Sequence, residues 1–144
     1  MIREIQYDEI EKLLDLYAFL HKNEPPKIES NLRSLWEEIT GDPNHHIVVA
    51  EKDGQLISTC VCVIVPNLTQ SMRPYAFIEN VITHPDFRQR GYATDCLNFA
   101  KEIAQSRRCY KMMLLTGSKE EATHKFYKDA GYNCTDKTGY IQWL

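Results

Sequence analysis

Several familiar features are missing from this 144-residue chain, and each absence removes a class of function. No apolar run approaches the length of a membrane-spanning helix, so no membrane role is expected. The opening "MIREIQ" is charged and strand-like where a signal peptide would need an apolar stretch, which makes the cytoplasm the expected address. Positive charge is not in excess either. Seventeen Lys and Arg stand against twenty Asp and Glu, a formal net charge of -3 that argues against nucleic acid as a partner. The same balance is compatible with a cationic substrate such as an amine. Among five cysteines there is no CxxC pair and no Cys/His cluster at zinc-finger spacing, so no metal is expected. Cys60 and Cys62 lie two apart in an apolar run and read as packed, reduced thiols; Cys96, Cys109 and Cys134 are scattered. With six glycines, neither GxGxxG nor GxxxxGK[ST] occurs, which excludes a dinucleotide fingerprint and a triphosphatase P-loop. Repeats, linkers and low-complexity tracts are absent, and the length suits one domain, residues 1–144, with a core of its own.

What the chain does contain is a succession of clear apolar patterns. "MIREIQ" reads as a short strand. In "YDEIEKLLDLYAFLHK", Ile10, Leu13, Leu14, Tyr17 and Leu20 recur at helical spacing, and "NEPP" breaks the helix. "ESNLRSLWEEIT" is a second helix, ended by Gly41-Asp42-Pro43. "HIVVAEK" and "QLISTCVCVIVP" flank Asp53-Gly54, a strong hairpin signal. A strand in "PYAFIENVITHP" is closed by Pro85. A helix over 91–107, a strand "CYKMMLLTG", a helix "KEEATHKFYKDAG" and a terminal strand "GYIQWL" complete the order. An antiparallel first half followed by strand–helix alternation predicts an α/β (α+β) fold, with a mixed sheet and helices on both faces.

The stretch "HPDFRQRGYATDCL" poses a more specific question. Arg88, Gln89, Arg90 and Gly91 close a loop directly before the helix at 91–107 and just past the end of a strand, where α/β sheets place their ligands. A helix N-terminus presents unpaired N–H groups and partial positive charge, two guanidinium groups add to it, and glycine lets backbone approach a ligand. The loop therefore suits an anion, although a solvated basic turn would show the same residues.

Arg88-Gln89-Arg90-Gly91-Tyr92-Ala93 resembles the acyl-CoA signature [RQ]-x-x-G-x-[GA] of the GNAT acetyltransferase superfamily. "IENVITHP" before it and "FYKDAGY" after it strengthen the likeness: the family shows aromatic-Tyr-x-x-x-Gly-aromatic there, matched by Phe126, Tyr127, Gly131 and Tyr132. Within the superfamily, "IENV", "CYK" and "FYKDAGY" are most similar to the glucosamine-phosphate N-acetyltransferase branch. Leu115-Thr116-Gly117 departs from that branch, and Ala93 replaces its second glycine. The resemblance implies a GNAT-like, mostly antiparallel sheet whose strands at 75–83 and 110–116 splay apart to receive acyl-CoA. It implies acetyl-CoA as acetyl donor and no metal. The pyrophosphate would lie on N–H groups of Gln89, Arg90, Gly91, Tyr92, Ala93 and Thr94, with Arg88 or Arg90 adding charge. The pantetheine arm would pair with backbone at Val81, Ile82 and Thr83.

The same resemblance assigns the chemistry of N-acetyl transfer to a primary amine. Tyr127 takes the place of the family's proton donor to the coenzyme A thiolate, though as an aromatic beside Phe126 it also reads as a core residue. Glu79, a carboxylate in the apolar strand "FIENV", is costly unless it faces a site or solvent. It is a candidate base or ammonium ligand, with a solvated edge position as the alternative. Asn80 points to the other face unless the strand is bulged there, and the N–H near Val81 is the candidate oxyanion donor. His124, three residues before Tyr127, is a base, a substrate contact or a surface histidine; His84 reads as a turn residue. Acceptor specificity is expected from His21 to Lys27, Tyr75, Tyr140 and Trp143. Small-molecule amines, amino sugars and protein amino groups are the acceptor classes, in that order. A non-catalytic CoA-sensing module is the competing reading. A homodimer is expected, paired through the terminal "GYIQWL".

Overall fold

A computed structural model describes residues 1–21 and 26–144. Five strands form one sheet in chain order: β1 (Ile2–Glu4), β2 (His45–Lys52), β3 (Gln55–Val65), β4 (Tyr75–Thr83) and β5 (Met112–Leu114). The first three pairings are antiparallel and the last is parallel. The expected hairpin is present, with Asp53 and Gly54 both at positive φ (51° and 80°), the conformation a tight two-residue turn needs. The sheet is mostly antiparallel, as expected from the sequence.

Alternation along the strands gives the sheet two apolar faces. On one, Val48, Cys60, Cys62, Ile64, Ala76 and Ile78 pack against Cys96, Leu97, Ala100 and Ala104 of helix α3 (Tyr92–Ser106), with Phe126 and Tyr127 of α4 (Glu121–Asp129) alongside. On the other, Ile47, Val49, Leu56 and Val61 meet Leu13 and Leu16 of α1 (Ile10–Tyr17) and Trp36 of α2 (Leu32–Gly41). The Trp36 indole N–H donates to the Tyr7 carbonyl at 2.8 Å, so a large ring is buried without an orphaned donor. Cys60, Cys62 and Cys96 are buried free thiols whose pKa values burial raises, which suits packing rather than reactivity.

A buried ionic knot fixes the start of α1 to the sheet. Both carboxylate oxygens of Glu9 accept from Arg3 of β1, at 2.7 and 2.8 Å, and Arg3 also donates to Glu51 of β2 at 2.7 Å. The Gln6 N–H donates to the same Glu9 carboxylate at 3.0 Å.

Several boundaries differ from the sequence expectation. The first helix begins with a 3-10 turn at Tyr7–Glu9, and its α-helical part ends at Tyr17. β5 is three residues long rather than nine. The expected strand at 139–144 is not formed: Tyr140, Ile141, Trp143 and Leu144 are 64–119% exposed and pair with no strand. An apolar run becomes a strand only where a neighbour supplies the ladder, and within one chain nothing flanks this one. Part of the segment expected to choose the acceptor, residues 22–25, lies outside the described residues.

Candidate active site

The site is built where β4 outruns β5. Their pairing covers Ala76, Phe77 and Ile78 of β4 against Met112, Met113 and Leu114 of β5. Beyond it β4 continues through Glu79, Asn80, Val81, Ile82 and Thr83 with no β5 partner. The two strands thus part at Ile78 and Leu114 and leave the far edge of residues 79–83 open, which is the expected splay. On its other edge β4 stays paired with β3, and Ser58 secures the end: its hydroxyl donates to the Ile82 carbonyl at 3.1 Å and meets the Thr83 hydroxyl at 2.8 Å.

β4 is also bulged. Thr59 opposes Ile82, whereas Val61 opposes Glu79, so Cys60 faces two residues, Asn80 and Val81. Asn80 sits at φ 51°. Both Glu79 and Asn80 are exposed, while Val81, Ile82 and Thr83 are half-buried.

Past Thr83 the chain makes a short 3-10 turn at Pro85–Phe87. His84 accepts the Asp86 N–H on Nδ1 at 3.2 Å, the turn role expected of it. Gln89 and Gly91 then take left-handed conformations, φ 58° and 88°, before α3 starts at Tyr92. Left-handed residues within such a turn direct successive N–H groups to one side, a concave cradle for an anion. The first α3 N–H with a partner is that of Asp95, which donates to the Gly91 carbonyl at 2.9 Å; those of Tyr92, Ala93 and Thr94 belong to the open first turn. No atom lies within 4 Å of where a Cβ on residue 91 would stand, so Gly91 leaves open space over the cradle. The flanking arginines are braced. Arg88 Nε donates to the Thr83 carbonyl at 3.1 Å, and the Arg90 guanidinium lies 5.6 Å from the centre of the Phe87 ring. Arg88 thus ties the end of β4 to the loop, and both guanidinium groups stay at the surface.

Tyr127 reaches the same region from α4. Burial raises its pKa, and nearby Cys60 and Glu79 add to the rise, so the phenol holds its proton through the neutral range. After α4 the chain folds back, with the Tyr132 N–H donating to the Tyr127 carbonyl at 3.0 Å. This sets the Tyr132 ring edge-on to Tyr127, their centres 6.2 Å apart. His124 Nε2 lies 2.9 Å from the Ser118 carbonyl, which can only accept, so Nε2 carries the proton.

A cleft of about 960 Å³ lies against β5, walled by Leu97, Met112, Leu114 and Gly131; its lining includes Tyr127 and His124 but none of residues 81–83 or 88–94. Tyr17 is the functional candidate that sequence reasoning missed. It ends α1 on the opposite face from Tyr127, and the Asn80 side chain is a hydrogen-bonding neighbour of its hydroxyl. Its only signal was a phenol on an otherwise aliphatic helix face.

Residues 7–132 match the model of the Acetyltransferase (GNAT) family, most of the chain. A solved protein of Agrobacterium tumefaciens str. C58, assigned as an acetyltransferase, is 36% identical, with 100% of this chain and 99% of that one covered and a TM-score of 0.92. Glucosamine 6-phosphate N-acetyltransferase of Trypanosoma brucei brucei is 26% identical over 84 residues, 58% of this chain; the match spans 55% of the relative's length. Glucosamine-6-phosphate N-acetyltransferase of Arabidopsis thaliana shares the fold at 20% identity, with a TM-score of 0.82 over 100% and 97% of the two chains.

Proposed function

The chain belongs to the GNAT acetyltransferase family, and on that premise we propose that it moves the acetyl group of acetyl-CoA to a primary amine on a small molecule, an amino sugar first among the classes. One observation carries the reading: the open edge of β4 runs directly into a loop of left-handed residues over empty space at a helix N-terminus. An amide-rich chain ending in a pyrophosphate has the right chemistry for both halves of that surface. Its amides would add to the β4 edge at Val81, Ile82 and Thr83, and its phosphates would rest on the N–H groups from Gln89 to Thr94. Arg88 and Arg90 would supply charge from the rim.

In this reading the amine nitrogen attacks the acetyl carbon, an amide bond forms and the carbon–sulfur bond breaks. The proton lost by the amine goes to Glu79, directly or through water. The Val81 N–H stabilises the oxyanion, and Tyr127 gives its hydroxyl proton to the departing thiolate. The exposed position of Glu79 and its closeness to Tyr127 support this division of labour. The likeness to a glucosamine 6-phosphate N-acetyltransferase supports the amino-sugar class. A homodimer belongs to the same proposal: four large apolar residues at 140–144 are exposed, and β5 is an edge strand.

The test is a panel of amines with acetyl-CoA and a free-thiol readout, containing glucosamine, its 6-phosphate, a polyamine and a lysine-bearing peptide. Thiol release with an amino sugar is the expected result. Release with the peptide alone would move the acceptor to protein amino groups. Tight acetyl-CoA binding with no release from any amine would make the protein a CoA-sensing module instead.

A further inference from the structure

Asn80 is, among the described residues, the one strand residue at positive φ. Asparagine reaches the left-handed region more readily than most residues, but a strand interior does not favour it, so its surroundings must hold it there. Two features do so. Across the sheet, Cys60 opposes both Asn80 and Val81, which leaves one residue of β4 outside the ladder. From the α1 face, the Tyr17 hydroxyl sits by the Asn80 side chain, and Tyr17 itself packs in the cluster that includes Leu16, Val61 and Ile82. Tyr127 approaches from the other face, so the bulge lies between two phenols.

We infer that Tyr17 is a positioning residue: by holding the Asn80 side chain it fixes the β4 bulge and aims the Val81 N–H at the acetyl carbonyl. The inference rests on the reading of the splayed strands as the acyl-CoA slot. Burial pushes the Tyr17 pKa up to about 12, so the hydroxyl stays neutral and can share a hydrogen bond with the carboxamide throughout the working range. A donor fixed in advance stabilises developing charge better than one that must reorient, which gives a distant phenol leverage over the reacting carbonyl. The signature of such a role is selective. Acetyl-CoA presents a carbonyl to the Val81 N–H, whereas CoA has only a thiol there.

The experiment is calorimetry with acetyl-CoA and with CoA on the wild type, Tyr17→Phe, Asn80→Gly and the double variant, each checked for folding by circular dichroism. Tyr17→Phe should weaken acetyl-CoA binding about three- to tenfold, the worth of one neutral hydrogen bond, and leave CoA binding within about twofold. Glycine accepts the left-handed conformation unaided, so adding Tyr17→Phe to Asn80→Gly should have no further effect. Equal loss for both ligands, or no loss for either, would overturn the positioning role. So would a Tyr17→Phe effect that persists undiminished beside Asn80→Gly. A wild type that binds neither ligand would remove the slot itself and this inference with it; a wild type that binds both confines any failure to Tyr17.

Discussion

Replacing Glu9 by Gln changes one oxygen for an amide group and should weaken the fold by an amount the geometry sets. The carboxylate accepts two short bonds from Arg3 and one from the Gln6 N–H, with Lys12 3.6 Å away, and its side chain is 6% exposed. The Arg3 hydrogen bonds lower its pKa, against the opposing effect of burial, from the usual 4.5 to about 2. At about 1.4 kcal/mol per pH unit, that difference corresponds to about 3 kcal/mol of stability. The rise of the Arg3 pKa expresses the same contacts from the other side and is not counted again. Because the folded carboxyl is the stronger acid, its contribution is complete above about 4.5 and is lost as pH falls toward about 2. Glu9→Gln should therefore melt about 10 °C below the wild type at pH 7, given the entropy of unfolding expected for a domain of this size. Denaturant unfolding at a series of pH values gives the sharper check. The gap between the two proteins should be constant from pH 7 to about 5, then close as the wild type loses its carboxylate. A gap that stays constant down to pH 2.5, or that is absent at pH 7, would refute the assignment of stability to this ionic knot.

Three further expectations concern the site and its assembly. Gly91→Val places a branched side chain at φ 88° and fills the open space above the loop, so a folded variant should lose acetyl-CoA binding by calorimetry; unchanged affinity would remove the loop from the cradle. Tyr127→Phe keeps the ring and its packing against Tyr132, so acetyl-CoA affinity should hold while turnover with the identified amine falls about a hundredfold. Normal turnover in that variant would make the phenol structural. Light scattering at high micromolar concentration should report twice the 16.8 kDa chain mass, and removal of residues 139–144 should halve it. A monomeric full-length chain would refute the pairing.

Local signals carried most of what could be read in advance. Asp53-Gly54 announced its hairpin because the turn conformation depends on the two residues within it. Gly91 marked the start of α3 for the same reason. Non-local pairing was not legible. "CYKMMLLTG" has the apolar density of a long strand, yet only Met112–Leu114 find a partner, because β4 turns away after Ile78. "GYIQWL" has the pattern of a strand and no neighbour to pair with. Asn80 showed only as a polar residue in an apolar strand; its left-handed backbone follows from register with β3, a relation between segments twenty residues apart. Tyr17 was hidden by its own usefulness to the core, since a half-buried phenol at helical spacing reads the same whether or not its hydroxyl meets a site.

The chain's two tryptophans stand in opposite surroundings, and this makes the protein its own spectroscopic instrument. Trp36 is 6% exposed and hydrogen-bonded; Trp143 is 85% exposed near the chain end. Their emission therefore separates by wavelength, and a soluble quencher such as iodide reaches only the second. Unfolding moves the blue component, carried by Trp36, toward the red. Covering of the terminal segment by any neighbour moves the red component toward the blue and shields it from the quencher. Loss of fold and gain of a neighbour are thus opposite displacements of two distinct bands, readable in one cuvette without a label.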